Sequence, residues 1–386
     1  MSDKMENKMT DWKECKLGEV AEVVGGGTPS TSVNEFWNGN ISWLTPRDLT
    51  GYSKMFISRG ERNITQKGLE NSSAKLMPKG TVLLTSRAPI GYVAIAENEI
   101  CTNQGFKNLV LNNEIAFNKF LYYWIKNNQE YLQSIGTGTT FAEISGSVVK
   151  NIDILLPPLP EQKAIASVLS SLDDKIDLLH RQNKTLEAMA ETLFKQWFVE
   201  TTNTVKIADI IEIHDSKRVP LSSTERDKMK NGELFPYYGA ATIMDYINQY
   251  IFDEEHLLLG EDGTVQTEDG YPILQIATGK YWVNNHTHVL NAKKPFTNFL
   301  LYTILKKTSI SHIVTGAVQP KINQENLKSL EIEVPDLFHI EEVAKSTDII
   351  WNKIKNNYKQ IRTLEKLRDN LLPKLMSGEV RVLNLD

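Results

Sequence analysis

Two stretches of this 386-residue chain, Ile152–Trp197 and Leu330–Leu375, are copies of one segment displaced by 178 residues, and no other feature restricts the fold as strongly. The tract NIDILLPPLPEQ lies on SLEIEVPDLFHI without a gap. Lys150/Lys328, Ile154/Ile332, Pro157/Pro335, Ala166/Ala344, Lys175/Lys353, Ile176/Ile354 and Leu193/Leu371 coincide, as do Thr185-Leu186-Glu187 and Thr363-Leu364-Glu365. A period this long is not a solenoid repeat; it implies two similar halves related by a pseudo-two-fold. Such a protein suits an elongated, two-part target.

Each copy carries a heptad seam. In the first, the positions advance by alternating steps of four and three through Ile165, Leu169, Leu172, Ile176, Leu179, Asn183, Leu186, Ala190, Leu193 and Trp197. The second runs Val343, Thr347, Ile350, Ile354, Asn357, Ile361, Leu364, then Leu367 or Arg368, Leu371 and Leu375. A 3.5-residue period held this long predicts two helices that pack on each other rather than on their own domains. About 35 residues at 1.5 Å each make a helix roughly 50 Å long. Pro157, Pro158 and Pro160 stiffen the first helix's start, where proline is tolerated. The second start has Phe338-His339 and Glu341-Glu342 instead and should be less rigid. Asn183 and Asn357 interrupt the two seams; in an antiparallel pair they should face each other and hydrogen-bond, fixing register at some cost in stability.

The fold class that follows is α+β: two similar mixed α/β domains, residues 11–157 and 204–335, joined by two long antiparallel helices, residues 158–199 and 338–378. Within the domains, Gly25–Ser30 reads as a turn. Gly80–Thr85 and Gly91–Ala96 read as strands, and Phe117–Leu132 as a helix matched by Phe296–Lys307 in the second half. Between these landmarks the halves diverge, as expected if each has its own ligand.

Hydrophobic residues at 41% and charged residues at 24% describe an ordinary soluble protein with room for two cores. No apolar run reaches membrane-span length, and Met1–Thr10 lacks the apolar core of a signal peptide. A cytoplasmic protein is expected, with Cys15 and Cys101 as reduced thiols. The net charge of −5 makes no case for nucleic acid, so any DNA reading rests on local clusters.

No GxxxxGK[ST] run exists, and Thr278-Gly279-Lys280-Tyr281 lacks both the upstream glycine and the hydroxyl after lysine. No glycine-rich cofactor fingerprint appears, and Leu156-Pro157-Pro158-Leu159 lacks both ends of the tetrapeptide that amino-methyltransferases use on a flipped base. His286-Thr287-His288 puts two imidazoles on one face of a strand, but a third ligand at readable spacing is missing, so hydrogen-bonded structural histidines are expected. Glu261-Asp262 and Glu268-Asp269 flank a Gly263–Gln266 hairpin and read as solvated acidic tips. No catalytic constellation emerges, and no metal or cofactor is expected on this chain. A methyltransferase or nuclease in its own right would need the missing fingerprint.

What the globular halves do contain suits duplex DNA. In the first half, Thr28, Arg47, Arg59, Arg62, Ser86, Arg87, Lys107, Thr139 and Thr140 lie near turns. In the second, Lys217, Arg218, Tyr238, Lys280, Gln319 and Lys321 do. Arginine and the carboxamides can bond two edge atoms of a base at once, whereas lysine and hydroxyls mainly hold phosphate. On the helices, Leu172, Ile176, Leu179, Leu186, Leu193, Ile350, Ile354, Leu364, Leu371 and Leu372 should form the seam and its flanks. Met189, Phe194, Trp197 and Phe198 exceed what one partner helix can cover and should meet another protein.

The tract LPPLPEQKAIASVLSSLDDKIDLLHRQNKTLEAMAETLFKQWF, Leu156–Phe198, resembles the central conserved region of type I restriction-modification specificity subunits. Leu364–Glu379 resembles that family's C-terminal region. Trp12-Lys13, Lys16-Leu17-Gly18-Glu19-Val20, Gly26-Gly27-Thr28-Pro29, Ser86-Arg87-Ala88-Pro89-Ile90-Gly91 and Asn284-Asn285-His286-Thr287-His288-Val289 read like motifs of its target-recognition domains. The resemblance implies a subunit without catalysis of its own, whose two domains each read half of a bipartite DNA target. It implies two methyltransferase subunits on the helices, carrying S-adenosylmethionine, and restriction subunits carrying ATP, Mg and the nuclease.

Overall fold

The computed structural model describes residues 11–87, 89–138, 142–200, 202–316 and 318–382, without the side chains of 198–200. The chain divides into two units, Met1–Asp177 with Arg362–Asp386, and Leu178–Ile361. Both divisions fall inside long helices, Leu159–Glu200 and Ile340–Met376, so each unit owns one half of each helix.

In the first unit a five-stranded sheet runs in the order Ala21–Gly25, Phe106–Leu111, Val82–Thr85, Val93–Ala96, Phe56–Ile57. Val82-Leu83-Leu84 runs apolar without alternation because the strand is central and buried on both faces. A smaller sheet pairs Trp37–Leu44 antiparallel with Arg62–Ile64 and parallel with Cys101–Thr102. Lys13–Lys16 and Asp153–Leu156 form an antiparallel ribbon where the chain enters and leaves the unit.

The second unit repeats this plan with different lengths. Its main sheet runs Ile211–Ile213, Thr287–Ala292, His256–Gly260, Leu274–Ala277, the same first four places. The smaller sheet again contains one parallel pair, Phe235–Tyr238 with Lys280–Val283. Thr202–Lys206 and Glu331–Pro335 form the matching ribbon. The structural repeat thus extends through segments whose sequences have diverged.

The segment Phe117–Leu132 is two helices rather than one, Asn118–Asn127 and Gln129–Ser134. Asn128 breaks it: its Nδ2 donates to the Trp124 carbonyl at 2.8 Å, a local bond that competes with helical continuation. In the second unit the matching helix is Asn298–Leu305.

Within each unit the two long helices lie against each other. In the first, Ile165, Ala166 and Leu169 share a core with Leu375, Met376, Trp12 and Phe120. Asp173 accepts from Tyr123 Oη at 2.6 Å and from Arg368 Nη1 at 2.8 Å. Arg368 therefore takes the inward position that the seam left open between it and Leu367, which is exposed. In the second unit Ala190 packs with Ile350, Trp351 and Ile354, and the Trp351 ring stacks on Phe299 at 5.0 Å. Phe194 does not face outward as its surplus aromatic area suggested. It is 5% exposed, inside the core formed with Val343, Ala344 and the main sheet, and Trp197 is half-buried against that core. The Phe198 side chain lies outside the described residues.

Asn357 Nδ2 donates to Asn183 Oδ1 at 2.8 Å, with both side chains buried, as the interrupted seams predict. Replacing Asn357 alone by leucine strands a buried amide and should cost about 1–3 kcal/mol, whereas replacing both asparagines by leucine should return at least wild-type stability. Urea unfolding of the single and double variants checks this. A double variant as unstable as the single one would show that the pair is not the relevant contact.

Both cysteines are free. Burial pushes the Cys101 thiol up to about 12, so it packs as a small apolar group. Among the described residues no helix is long and apolar enough to cross a membrane.

Candidate nucleic-acid interface

In the first unit the polar loops gather around Gly105, a position where a Cβ would stand 2.6 Å from Pro46 Cγ. The Gly105 carbonyl accepts from the Ser86 and Arg87 amides at 2.7 and 3.4 Å and from Ser86 Oγ at 3.2 Å. On one side, Thr28 Oγ1 donates to Gln104 Oε1. On the other stands the turn Pro46–Leu49, whose Asp48 carboxylate caps Thr45 and also accepts from the Glu61 amide at 2.7 Å. That carboxylate ties the Arg59–Arg62 loop to the Arg47 turn. Arg47 and Arg59 are exposed cations there, and the Arg62 guanidinium lies 3.6 Å over the Trp37 ring. Ser86 is fully buried and acts as a brace. Lys107, mostly covered, donates to Ser86 Oγ at 3.3 Å and Glu143 Oε1 at 3.1 Å. Arg87 Nε donates to Glu143 Oε2 at 2.9 Å. Burial works to raise the Glu143 carboxyl, but the bonds from Lys107 and Arg87 outweigh it and hold the group below its ordinary range. Thr139 and Thr140 lie outside the described residues.

Hydrogen bonds match this region to the second unit residue by residue. Thr137 and Glu143 exchange backbone bonds at 3.0 and 2.9 Å; Thr315 and Lys321, each 178 positions later, do so at 2.8 and 2.7 Å. The next residues, Ile144 and Ile322, donate to the carbonyls of Ser86 and Glu261. Ser86 thus corresponds to Glu261 and Arg87 to Asp262. The sheet registers Leu84↔Lys107 and Leu259↔His288 place Lys107 and His288 in one position. The signs are inverted: cations at the strand end face a loop carboxylate in the first unit, and carboxylates face a loop lysine in the second.

Glu261 is accordingly not a solvated tip. Arg218, whose side chain is 12% exposed, donates through Nη1 to Glu261 Oε2 at 2.5 Å and to the Thr287 carbonyl at 2.7 Å. Its Nε donates to the Asp215 carbonyl at 3.0 Å. The expectation that Arg218 touches DNA gives way to an internal brace. His286 sits in a turn, not on the strand, so the two imidazoles do not share a face. His288 is fully buried, with Nδ1 2.6 Å from Asp215 Oδ2 and Nε2 2.8 Å from the Ile322 carbonyl. Asp215, Glu261 and His288 converge within 4.8 Å, yet Arg218 bridges both acidic residues and the His–Asp distance is that of a hydrogen bond. The set is a closed charge cluster rather than a metal centre. Burial pushes the Asp215 carboxyl up, but the bonds from His288 and Val289 with the nearby Arg218 charge bring it below its ordinary value.

Tyr238 is buried, edge-on to Tyr281, and serves the core. Lys280 stands over Phe235 and Tyr250 at the opposite end of its strand from Asn284, and Lys217 over Phe252; neither joins the cluster. Gln319 and Lys321 do: Gln319 Nε2 donates to Asp262 Oδ1 at 2.7 Å, and Lys321 Nζ is 3.6 Å from Glu261 Oε1. Sequence reasoning missed Glu143, and it missed Asp262 as the holder of Gln319. The signal for Glu143 was the 178-residue register, which continues upstream through Thr137-Gly138/Thr315-Gly316 and Ile144/Ile322; Asp262 lies outside it and is matched only by strand pairing.

At the other end of the His256–Gly260 strand from Glu261, His256 Nδ1 lies 2.6 Å from Tyr281 Oη, and its ring is buried among Phe252, His214 and Tyr281. Burial, then the neighbouring His214, lowers it from 6.5 to about 4, with Glu254 opposing. The folded value lies below the unfolded one, so its contribution is complete above pH 6.5 and is lost as pH falls towards 4. The urea midpoint should be lower at pH 5 than at pH 7.5. His256→Asn, which keeps an acceptor for Tyr281 but cannot titrate, should shrink that difference; an unchanged pH dependence would place its origin elsewhere.

The family described as type I restriction modification DNA specificity domain matches residues 9–188 and 199–371. The chain belongs to the type I restriction-modification specificity subunits. It is 35% identical to the type I restriction enzyme MjaIX specificity subunit of Methanocaldococcus jannaschii, over 96% of this chain and 94% of that one. It is 23% identical to the MjaVIII specificity subunit of the same organism over 97% and 94% of the two chains. The S subunit of a type I restriction-modification system from M. genitalium shares the fold, with a TM-score of 0.59 at 19% identity over 94% of this chain and 96% of that one.

Proposed function

We propose that this subunit reads an asymmetric bipartite DNA sequence, one half through each unit, and has no catalysis of its own. The two long helices dock two methyltransferase subunits, which supply S-adenosylmethionine and the methyl transfer. Restriction subunits with ATP and Mg complete a complex that acts in the cytoplasm. The observation that carries this reading is the pair of equivalent loop clusters at one strand end in each unit, with inverted charges: one scaffold presenting two different chemistries suits two different half-sites. Docking is supported by large apolar side chains left exposed on the helices, among them Ile349 at 66%, Met189 and Leu367.

Exchanging Lys206–Leu330 for the matching part of a relative should change one half of the methylated sequence and leave the other intact. Sequencing methylated adenines in cells with each chain reads this directly. Changes in both halves, or in neither, would rule out independent reading.

A further inference from the structure

Arg87 and Gln319 occupy the two equivalent clusters, and each is held by a carboxylate on one edge only. Arg87 bonds Glu143 through Nε, and among the described residues Nη1 and Nη2 have no partner; the side chain is half exposed. Glu143 is itself fixed from the other side by Lys107. The guanidinium is therefore anchored at its inner edge with its outer fork open. That fork matches the two acceptors, O6 and N7, on the major-groove edge of guanine. Gln319 is exposed, with Nε2 on the Asp262 carboxylate and Oε1 without a partner among the described residues. A flipped amide would bring Oε1 against that carboxylate, so the bond decides which end is the donor. One N–H and the carbonyl remain, the complement of adenine N7 and N6.

We infer that Arg87 reads a guanine in one half-site and Gln319 an adenine in the other, with Glu143 and Asp262 as positioning residues. This rests on the DNA-reading function proposed above. Glu143 also holds the mostly covered Lys107, so its variant is Glu143→Gln, which keeps the size and an acceptor for that lysine. The effect of both carboxylates lies in orientation.

The test is the methylated motif made by the full chain with its methyltransferase subunits, for the parent and for Arg87→Lys, Glu143→Gln and Gln319→Leu, each checked for folding by thermal melting. Arg87→Lys keeps the charge but loses the fork, so guanine preference at one position of one half-site should fall about ten- to hundredfold. Glu143→Gln should relax that same position, which a merely structural residue would not do. Gln319→Leu should relax one adenine in the other half-site. A parent that yields no motif would overturn the DNA-reading function. A parental motif that persists unchanged in folded variants, or that weakens alike at every position, would overturn the base assignment and leave the function standing.

Discussion

Adding one heptad to both long helices, after Asn183 and after Ile361, should lengthen the unread spacer of the DNA target by about three base pairs and leave both half-sites unchanged. Seven residues add about 10 Å of helix at 1.5 Å each, and a base pair rises about 3.4 Å. A heptad keeps each seam in phase, so the Ile350–Ile354 and Ile165–Leu169 surfaces still meet their partners. Adding two residues instead turns the seam away from its partner and should abolish assembly rather than alter spacing. The two insertions thus separate length from phase. The readout is the methylation motif of each variant. A heptad variant that methylates with the parental spacer would show that the helices do not set the distance.

Arg218→Met should destabilise the second unit by about 3–5 kcal/mol, because it leaves two acidic residues buried without their shared cation. Asp215 and Glu261 are both largely covered, and the bonds from Arg218 to the Thr287 and Asp215 carbonyls disappear as well. Lys217→Met, one residue away on an exposed side chain, should change stability by no more than about 0.5 kcal/mol. Urea unfolding of the two variants makes the comparison. Near-equal effects would mean that solvent screens the cluster and that it is not the brace described here. Acid should act on the same cluster: the folded Asp215 value is depressed, so its contribution is present above the ordinary carboxylate value and lost as pH falls through the folded one.

What was legible in the sequence is what depends on periodicity. The seams from Ile165 to Trp197 and from Val343 to Leu375 need only a 3.5-residue spacing to be recognised, and their 178-residue displacement exposes the duplication. The antiparallel facing of Asn183 and Asn357 follows from that displacement by symmetry alone. Side-chain roles in the loops were not legible, because a charged residue near a turn reads the same whether it is exposed or enclosed. Arg87 and Arg218 are both arginines beside turns; only strand pairing decides that the first keeps an open fork and the second is surrounded by carbonyls and carboxylates. Phe194 likewise has the area of an interface anchor, and only tertiary packing turns it into its own domain's core. Helical and heptad spacing are properties of one segment. The partner of a loop side chain comes from a segment 43 to 69 residues away, and the two meet only once the sheet between them has formed.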